Sequence, residues 1–350
     1  MTRTAAQRIA DVRRLQKAAR KVIEDRAALV AAIVDSTGLS PEGVELGLTK
    51  HVEVEASDAE LALLVERAGD HPRVAVVLSA NVFVGALRAI ALARAASDDV
   101  VVRPSRRDPA FARALVDAAR ALGDARVRID EELDVASIED GEIHVYGRDE
   151  TIAEMRSRAR PGARVRGHGS GMGVAWISER ADLENAARGL ADDVVVFDQR
   201  GCLSPRVVLV HGDEARAASF GAALHTELER LDSAVPRGAV PADERAAAGR
   251  YVATMTYACR VLVGAQHAIG IAPPGAPMVL PPPYRHVHVA ACASVEDAKN
   301  ALAPLAKGIV TLGSDDATSA AAIAPAWARV AALGRMQRPP LDGPVDLREG

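Results

Sequence analysis

In Phe197-Asp198-Gln199-Arg200-Gly201-Cys202-Leu203-Ser204-Pro205 a cysteine follows a glycine in a polar turn, between a helix-patterned run and the apolar run Val207-Val208-Leu209-Val210. A thiol placed this way is a candidate nucleophile, because the glycine lets the backbone approach a ligand and the turn is expected to leave the sulfur accessible. Reaction requires a lowered thiol pKa and exposure, and Cys259 and Cys292 fall instead in helix- and strand-patterned runs. Cys202 is therefore the thiol expected to react first. A lone cysteine also serves widely as a small core residue, so the surroundings must decide. Two glycine positions add to the candidate chemistry. Gly147 closes the strand-like run Glu142-Ile143-His144-Val145-Tyr146 and faces the next helix, where phosphates and cofactors settle in an α/β sheet. Gly167, Gly169, Gly171 and Gly173 alternate through the segment leading into Val174-Ala175-Trp176-Ile177, either as a backbone that approaches a flat ligand or as a surface loop. His168, within it, is a possible proton carrier or a packing residue.

The elements that must position these residues follow from periodicity. Residues 2 to about 70 read as helices, with Ile9, Val12, Leu15, Ala19 and Val22 at three- and four-residue spacing, and with Ser40 and Pro41 starting a new helix. This segment is expected to pack on the body. Beyond His71-Pro72, strand-like runs (Arg73 to Ser79, Asp99 to Arg103, Arg126 to Ile129, Glu142 to Tyr146) alternate with helical ones, which predicts a doubly wound parallel α/β sheet. A second α/β series follows Cys202: strands at Arg206 to His211, Arg285 to Ala291 and Gly308 to Leu312, helices at Glu214 to Leu231 and Asp243 to Val263, and a Pro-rich loop from Ile271 to Pro283. The expected division is a helical segment over 1–70, a dinucleotide-binding domain over 71–200, a thiol-bearing catalytic domain over 201–325, and a closing strand and tail over 326–350.

Composition narrows the function. The chain has 350 residues, 49% hydrophobic and 26% charged, with a net charge of -4, so it offers no basic surface to nucleic acid or anionic lipid. Three scattered cysteines without a CxxC pair argue against a disulfide framework and a zinc site, and for a reducing, cytoplasmic setting. No run is long and apolar enough to span a bilayer. Only 3% of residues are aromatic, so the core must be built from small aliphatic side chains.

Three stretches carry a resemblance: strand, Asn81, helix, strand and Arg103-Pro104-Ser105 over Val74 to Ser105; Gln199-Arg200-Gly201-Cys202; and Leu333-Gly334-Arg335-Met336-Gln337-Arg338-Pro339-Pro340-Leu341-Asp342. From about Arg73 onward the chain resembles the aldehyde dehydrogenase superfamily and, through the last stretch, its LuxC-like acyl-CoA reductase branch. The resemblance implies an aldehyde-dehydrogenase-like fold in which Cys202 attacks an acyl thioester, and in which Asn81, with the Cys202 N–H, stabilises the oxyanion. Asn81 read by itself also fits a turn or helix N-cap. Ser79, Arg103, Pro104, Ser105, Arg106, Gly147, Gly167 and Gly169 would form the cofactor site, without a metal. Arg at both 103 and 106, where the superfamily has Lys and Glu, favours NADPH over NADH. The superfamily's hydrolytic Glu is absent from Arg166-Gly167-His168-Gly169, which suits a reductase, while Arg148 in place of a Ser alters the pyrophosphate turn. The implied substrate is an acyl-CoA or acyl-carrier thioester, a fatty one; the implied partners are acyl-activating or acyl-transferring proteins and further copies in a homo-oligomer. Reduction of an acyl phosphate, oxidation of an aldehyde, and a nucleotide-binding protein without turnover remain open alternatives.

Overall fold

The computed structural model describes residues 3–80 and 82–348, so Asn81 lies outside the described residues. The first helices are α1 (Ala5–Glu24), α2 (Ala27–Thr37), α3 (Pro41–Leu46) and α4 (Asp58–Ala68). Thr4 and Ser57 start α1 and α4 with full capping boxes, and Ser40 caps α3 with Pro41 in its first turn. A first sheet follows, formed by β1 (Val74–Val77), α5 (Gly85–Ala96), β2 (Val100–Arg103), α6 (Ala110–Ala121), β3 (Val127–Ile129), β4 (Gly141–Tyr146), α7 (Asp149–Arg158) and β5 (Ala163–His168). All its strands are parallel, in the order β3-β2-β1-β4-β5.

Alternation along these strands builds two cores. Val74, Val76, Val100 and Val102 face α1, α4, α5 and α6, while Ala75, Val77, Val101, Ile143 and Val145 pack with Ile152 and Met155 of α7. Helix α5 is buried along its length from Ala86 to Ala96, because the amino-terminal helices cover the face that the sheet leaves free. Its two arginines are consequently paired: Arg94 with Asp11 and Asp124, and Arg88 with Glu53.

The second sheet comprises β6 (Met172–Ile177), α8 (Leu183–Val195), β7 (Pro205–His211), α9 (Glu214–Ala234), α10 (Ala242–Ala258), β8 (Arg260–Val263), β9 (Ala268–Ala272), β10 (His286–Cys292), α11 (Val295–Leu302), β11 (Ile309–Ser314), α12 (Ala317–Ile323) and β12 (Arg329–Ala332). The order is β12-β11-β6-β7-β10-β9-β8, with the β8–β9 edge pair antiparallel and the other pairs parallel. Both tryptophans belong to this half: Trp176 of β6 donates to Ser319 Oγ at 3.0 Å, and Trp327 donates to the Ile309 carbonyl at 3.2 Å.

The architecture is the expected mixed α/β fold with a helical opening, and three local expectations change. The sheets divide between His168 and Met172 rather than at residue 200, because β6 pairs with β7 and β11. Residues 243–263 are not one helix; the chain leaves α10 at Ala258 and turns back as the edge hairpin β8–β9. Gly167 and His168, the start of the glycine run read as a ligand-approaching backbone or a surface loop, close an unanticipated edge strand, β5.

Candidate active site

The Cys202 turn departs from ordinary backbone geometry. After α8, Phe197, Asp198 and Gln199 take φ of 54°, 49° and 60°, three successive left-handed residues without a glycine among them. Each such residue costs of the order of 1 kcal/mol and persists only where its surroundings over-determine it. The surroundings here are explicit. Gln199 Nε2 donates to the carbonyls of Pro205 (2.6 Å) and His286 (2.8 Å) while its Oε1 accepts from His286 N (2.9 Å), which bridges the starts of β7 and β10. The Asp198 carboxylate accepts from Arg285 Nη2 (2.8 Å) and Gly238 N (2.9 Å), and Arg285 also binds Asp232 at 3.2 Å. The Phe197 ring meets Phe83 and His51 edge-on, each at 5.7 Å.

Held in this way, Cys202 lines a cavity of about 300 Å³ between the two sheets. Ser79 and Gly147, just past the carboxyl ends of β1 and β4, line it as well. The chain proceeds from β1 to β2 and β3 on one side and returns to β4 on the other, so this is the switch point at which dinucleotides bind in such sheets. Gly169 and Arg148 complete that side, and Phe83 before α5, Ala86 and Ala89 of α5, and Phe111 and Ala112 of α6 form an apolar wall opposite. Gln337, Pro339, Val345 and Asp346 close it from the carboxyl-terminal segment.

The segment is strapped across both sheets. Arg88 donates to the carbonyls of Pro339 and Gly343, both at 2.7 Å, and Arg329 to those of Pro344 (2.6 Å) and Val345 (3.0 Å). Asp193 of α8 accepts from Gly334 N (2.6 Å) and Met336 N (3.0 Å), and its burial pushes the carboxyl up to about 7.

The electrostatics correct one expectation. Burial pushes the Cys202 thiol up to about 11, with the Asp346 carboxylate adding to the effect and Arg348 opposing it, whereas a lowered pKa was expected of this residue. His168 is 8% exposed and stacks on Tyr146 with ring centroids 4.3 Å apart. Neither of its ring nitrogens has a partner among the described residues, and burial, with His144 behind it, holds the ring neutral with a pKa of about 3. Burial also works against the Glu142 carboxylate, but His144, Arg166 and His71 hold it at about 2.

Cys202, Ser79, Gly147 and Gly169 are thus brought together around one cavity. Gly167 is not; it lies within β5, where a Cβ would come within 2.7 Å of Ile152 on α7. Arg103 ends β2 with Nη1 donating to the Leu133 carbonyl at 3.0 Å, Ser105 Oγ accepts from Arg107 N at 3.3 Å, and Pro104 lies between them. Arg106 is 85% exposed in its side chain and stands 3.6 Å from Glu132. None of these four residues lines the Cys202 cavity, although all lie at the carboxyl edge of the same sheet. His51, Asp108, Gln337 and Asp346 were not anticipated. Only Gln337 carried a sequence signal, through the closing motif.

The description of the family "acyl-CoA reductase (LuxC)" matches residues 67–349. The chain belongs to this family. It is therefore an acyl-CoA reductase of the oxidoreductase class, acting on an acyl thioester with a nicotinamide cofactor. Solved structures with the same fold include a NAD-dependent benzaldehyde dehydrogenase from Corynebacterium glutamicum (13% identity, 94% of this chain and 82% of that one, TM-score 0.70). Others are an oxidoreductase from Marinobacter aquaeolei (13% identity, 97% and 80%, TM-score 0.71) and a NAD-dependent aldehyde dehydrogenase from Sinorhizobium meliloti (15% identity, 93% and 74%, TM-score 0.69). A search of curated proteins finds no match. Among the described residues no helix of the reductase is long and apolar enough to cross a membrane, and no cluster of three His, Cys, Asp or Glu is placed to hold a metal ion.

The reductase's residues fit a dinucleotide at the β1–β4 switch point, where the unpaired ring nitrogens of His168 and the cationic Arg148 stand beside the apolar wall of α5. Asp149 and Glu150 occupy the first turn of α7, so a pyrophosphate there depends on Arg148 rather than on the helix end.

Proposed function

We propose that Cys202 carries the acyl group during reduction of a fatty acyl thioester to the aldehyde, with NADPH as the preferred cofactor. The observation that supports this most directly is that one cavity holds both the Cys202 turn and the strand ends Ser79 and Gly147. The Cys202 sulfur attacks the thioester carbonyl, the carbonyl–sulfur bond of the carrier breaks, and the carrier leaves as a thiol bearing the proton given up by Cys202. His168, neutral in the same cavity and without a ring-nitrogen partner among the described residues, is the group that would move that proton. The oxyanion formed at each tetrahedral stage is stabilised by the N–H of Cys202 and the side chain of Asn81, a contribution of about 3 kcal/mol for one such donor. A nicotinamide cofactor, which Ser79, Gly147, Arg148 and Gly169 would hold, would supply the hydride that reduces the acyl-enzyme. The hemithioacetal alkoxide left on Cys202 then breaks its carbon–sulfur bond, releasing the aldehyde and a Cys202 thiolate, which takes one proton from solvent to regenerate the thiol.

The apolar wall formed by Phe83, Ala86, Ala89, Phe111 and Ala112 suits an alkyl chain. The 2′-phosphate preference rests on Arg106, exposed at the surface in a long pair with Glu132, with Arg103 adding charge beside it. Free thiols throughout suit a reducing, cytoplasmic setting, and acyl-activating partners or a homo-oligomer would be consistent with the family. The test is to follow NADPH and NADH consumption with acyl-CoAs of graded length and to weigh the Cys202 peptide after exposure to acyl-CoA alone. Consumption together with an acyl adduct on that peptide supports the reading. Turnover without an adduct, or an adduct on another residue, defeats it.

A further inference from the structure

Two buried polar atoms in the wall of the Cys202 cavity have no role in the scheme above. Asp108, 6% exposed, stands in the loop before α6. Its Oδ1 accepts from Ser36 Oγ at 3.2 Å, while Oδ2, also buried, has no hydrogen-bond partner among the described residues. Arg200, two residues before the nucleophile, donates Nε to the Phe197 carbonyl (3.2 Å) and Nη1 to the Thr37 carbonyl (2.9 Å). Its Nη2 is likewise buried without a partner among the described residues. Both residues line the cavity that holds Cys202, and the Arg200 charge acts on the Asp108 carboxyl. An unpaired buried acceptor and an unpaired buried donor in the lining of one cavity each cost a folded protein about 1–3 kcal/mol, which points to a partner that arrives with the ligand.

A secondary amide is the group that satisfies both at once, since its carbonyl accepts where its N–H donates. We propose that Arg200 and Asp108 form a subsite for the amide of the thioester carrier, with Arg200 Nη2 donating to the amide carbonyl and Asp108 Oδ2 accepting from the amide N–H. In coenzyme A and in acyl carriers with the same arm, an amide follows the sulfur after a short ethylene spacer. Anchoring it sets the thioester carbonyl against Cys202, whose turn includes Arg200. The inference rests on the reading of Cys202 as the acylated residue, and it adds that the enzyme recognises the carrier through its arm as well as the acyl chain. A direct Asp108–Arg200 ion pair is the competing arrangement, in which the carrier plays no part.

The experiment uses three thioesters with one acyl chain: the N-acetylcysteamine thioester, its analogue with an ester in place of the amide, and the ethanethiol thioester. The ester keeps a carbonyl for Arg200 and lacks the N–H for Asp108. With the wild-type enzyme, kcat/KM for the amide should exceed that for the ester by at least about tenfold, as expected for a hydrogen bond to a buried charged group, and the ethanethiol compound should be poorer still. In Asp108→Ala the amide-to-ester ratio should fall toward one, and Asp108→Asn, which keeps an acceptor, should restore most of it. A wild-type enzyme that does not distinguish amide from ester overturns the subsite even if no variant folds, as does an Asp108→Ala enzyme whose ratio is unchanged. Failure of the wild type to reduce any of the three overturns instead the reading of Cys202 on which the subsite rests.

Discussion

Cys202 is half-buried as a residue, but the desolvation of its sulfur pushes the thiol up to about 11, which disfavours the thiolate at neutral pH. The expected outcome is that iodoacetamide modifies Cys202 slowly near neutral pH, with a rate that climbs about tenfold per pH unit above pH 8 as the thiolate fraction grows. Peptide mapping after timed labelling checks this, and Cys202→Ala should abolish aldehyde formation. Cys292, buried and also pushed up to about 11, should resist labelling as well. Arg106 raises a second question at this scale. Its guanidinium is almost fully exposed and its pairing with Glu132 is long, so the pair itself contributes little. Arg106→Glu should therefore leave the fold intact, weaken NADPH by about tenfold or more, and change NADH much less. Cofactor titration would reveal the difference; equal effects on both cofactors would show that no phosphate is read there.

At the scale of the element, the left-handed turn before Cys202 is held by residues far along the chain. Arg285 joins Asp198 of the turn to Asp232 at the end of α9, and all three are buried. Arg285→Met removes the guanidinium that two buried carboxylates share, leaving Asp198 with the Gly238 N–H and Asp232 with His267, so denaturant unfolding should show a loss of about 3–5 kcal/mol. The turn itself was legible as a glycine and cysteine between two patterned runs, and most strands of both sheets were legible as short β-branched runs. Its clamp was not legible. Nothing local to Gln199 announces that its amide will bridge Pro205 and His286, because that contact exists only once β7 and β10 are neighbours. Strand β5 was hidden for a different reason. It is an edge strand in which Arg164 and Arg166 alternate with Val165, and it ends in the glycines that read as a loop. Strand β9, Ala268-Ile269-Gly270-Ile271-Ala272, was not read as a strand, its last two residues being counted into the Pro-rich loop and the first three into no element. The place of Gly167 inside β5 follows from the same misreading.

For the molecule as a whole, the cavity is closed by three parts of the chain that meet only in the folded state: the strand ends of the first sheet, the thiol turn of the second, and the strapped carboxyl-terminal segment. The closure bears on water. Of the three carboxylates lining the cavity, Glu53 is bound by Arg88, Asp346 by Arg348, and Asp108 is buried with one oxygen on Ser36, so only Asp108 Oδ2 and the weakly basic His168 are left to activate a water against an acyl-enzyme. Release of free acid from acyl-CoA without cofactor should accordingly be at least about 100-fold slower than aldehyde formation with it. Acid release at a comparable rate would show that water reaches the acyl-Cys202 bond with a working base beside it.

The placement of Trp176 and Trp327, both packed in the second sheet, divides the molecule for optical spectroscopy. The first sheet and its helices contain Phe83, Phe111 and Tyr146 but no tryptophan, so indole emission follows the thiol-bearing half alone. Should the first sheet loosen before the second on heating or in denaturant, far-ultraviolet circular dichroism would register the change while tryptophan fluorescence stayed still. Coincidence of the two curves would instead show that the halves unfold as one unit.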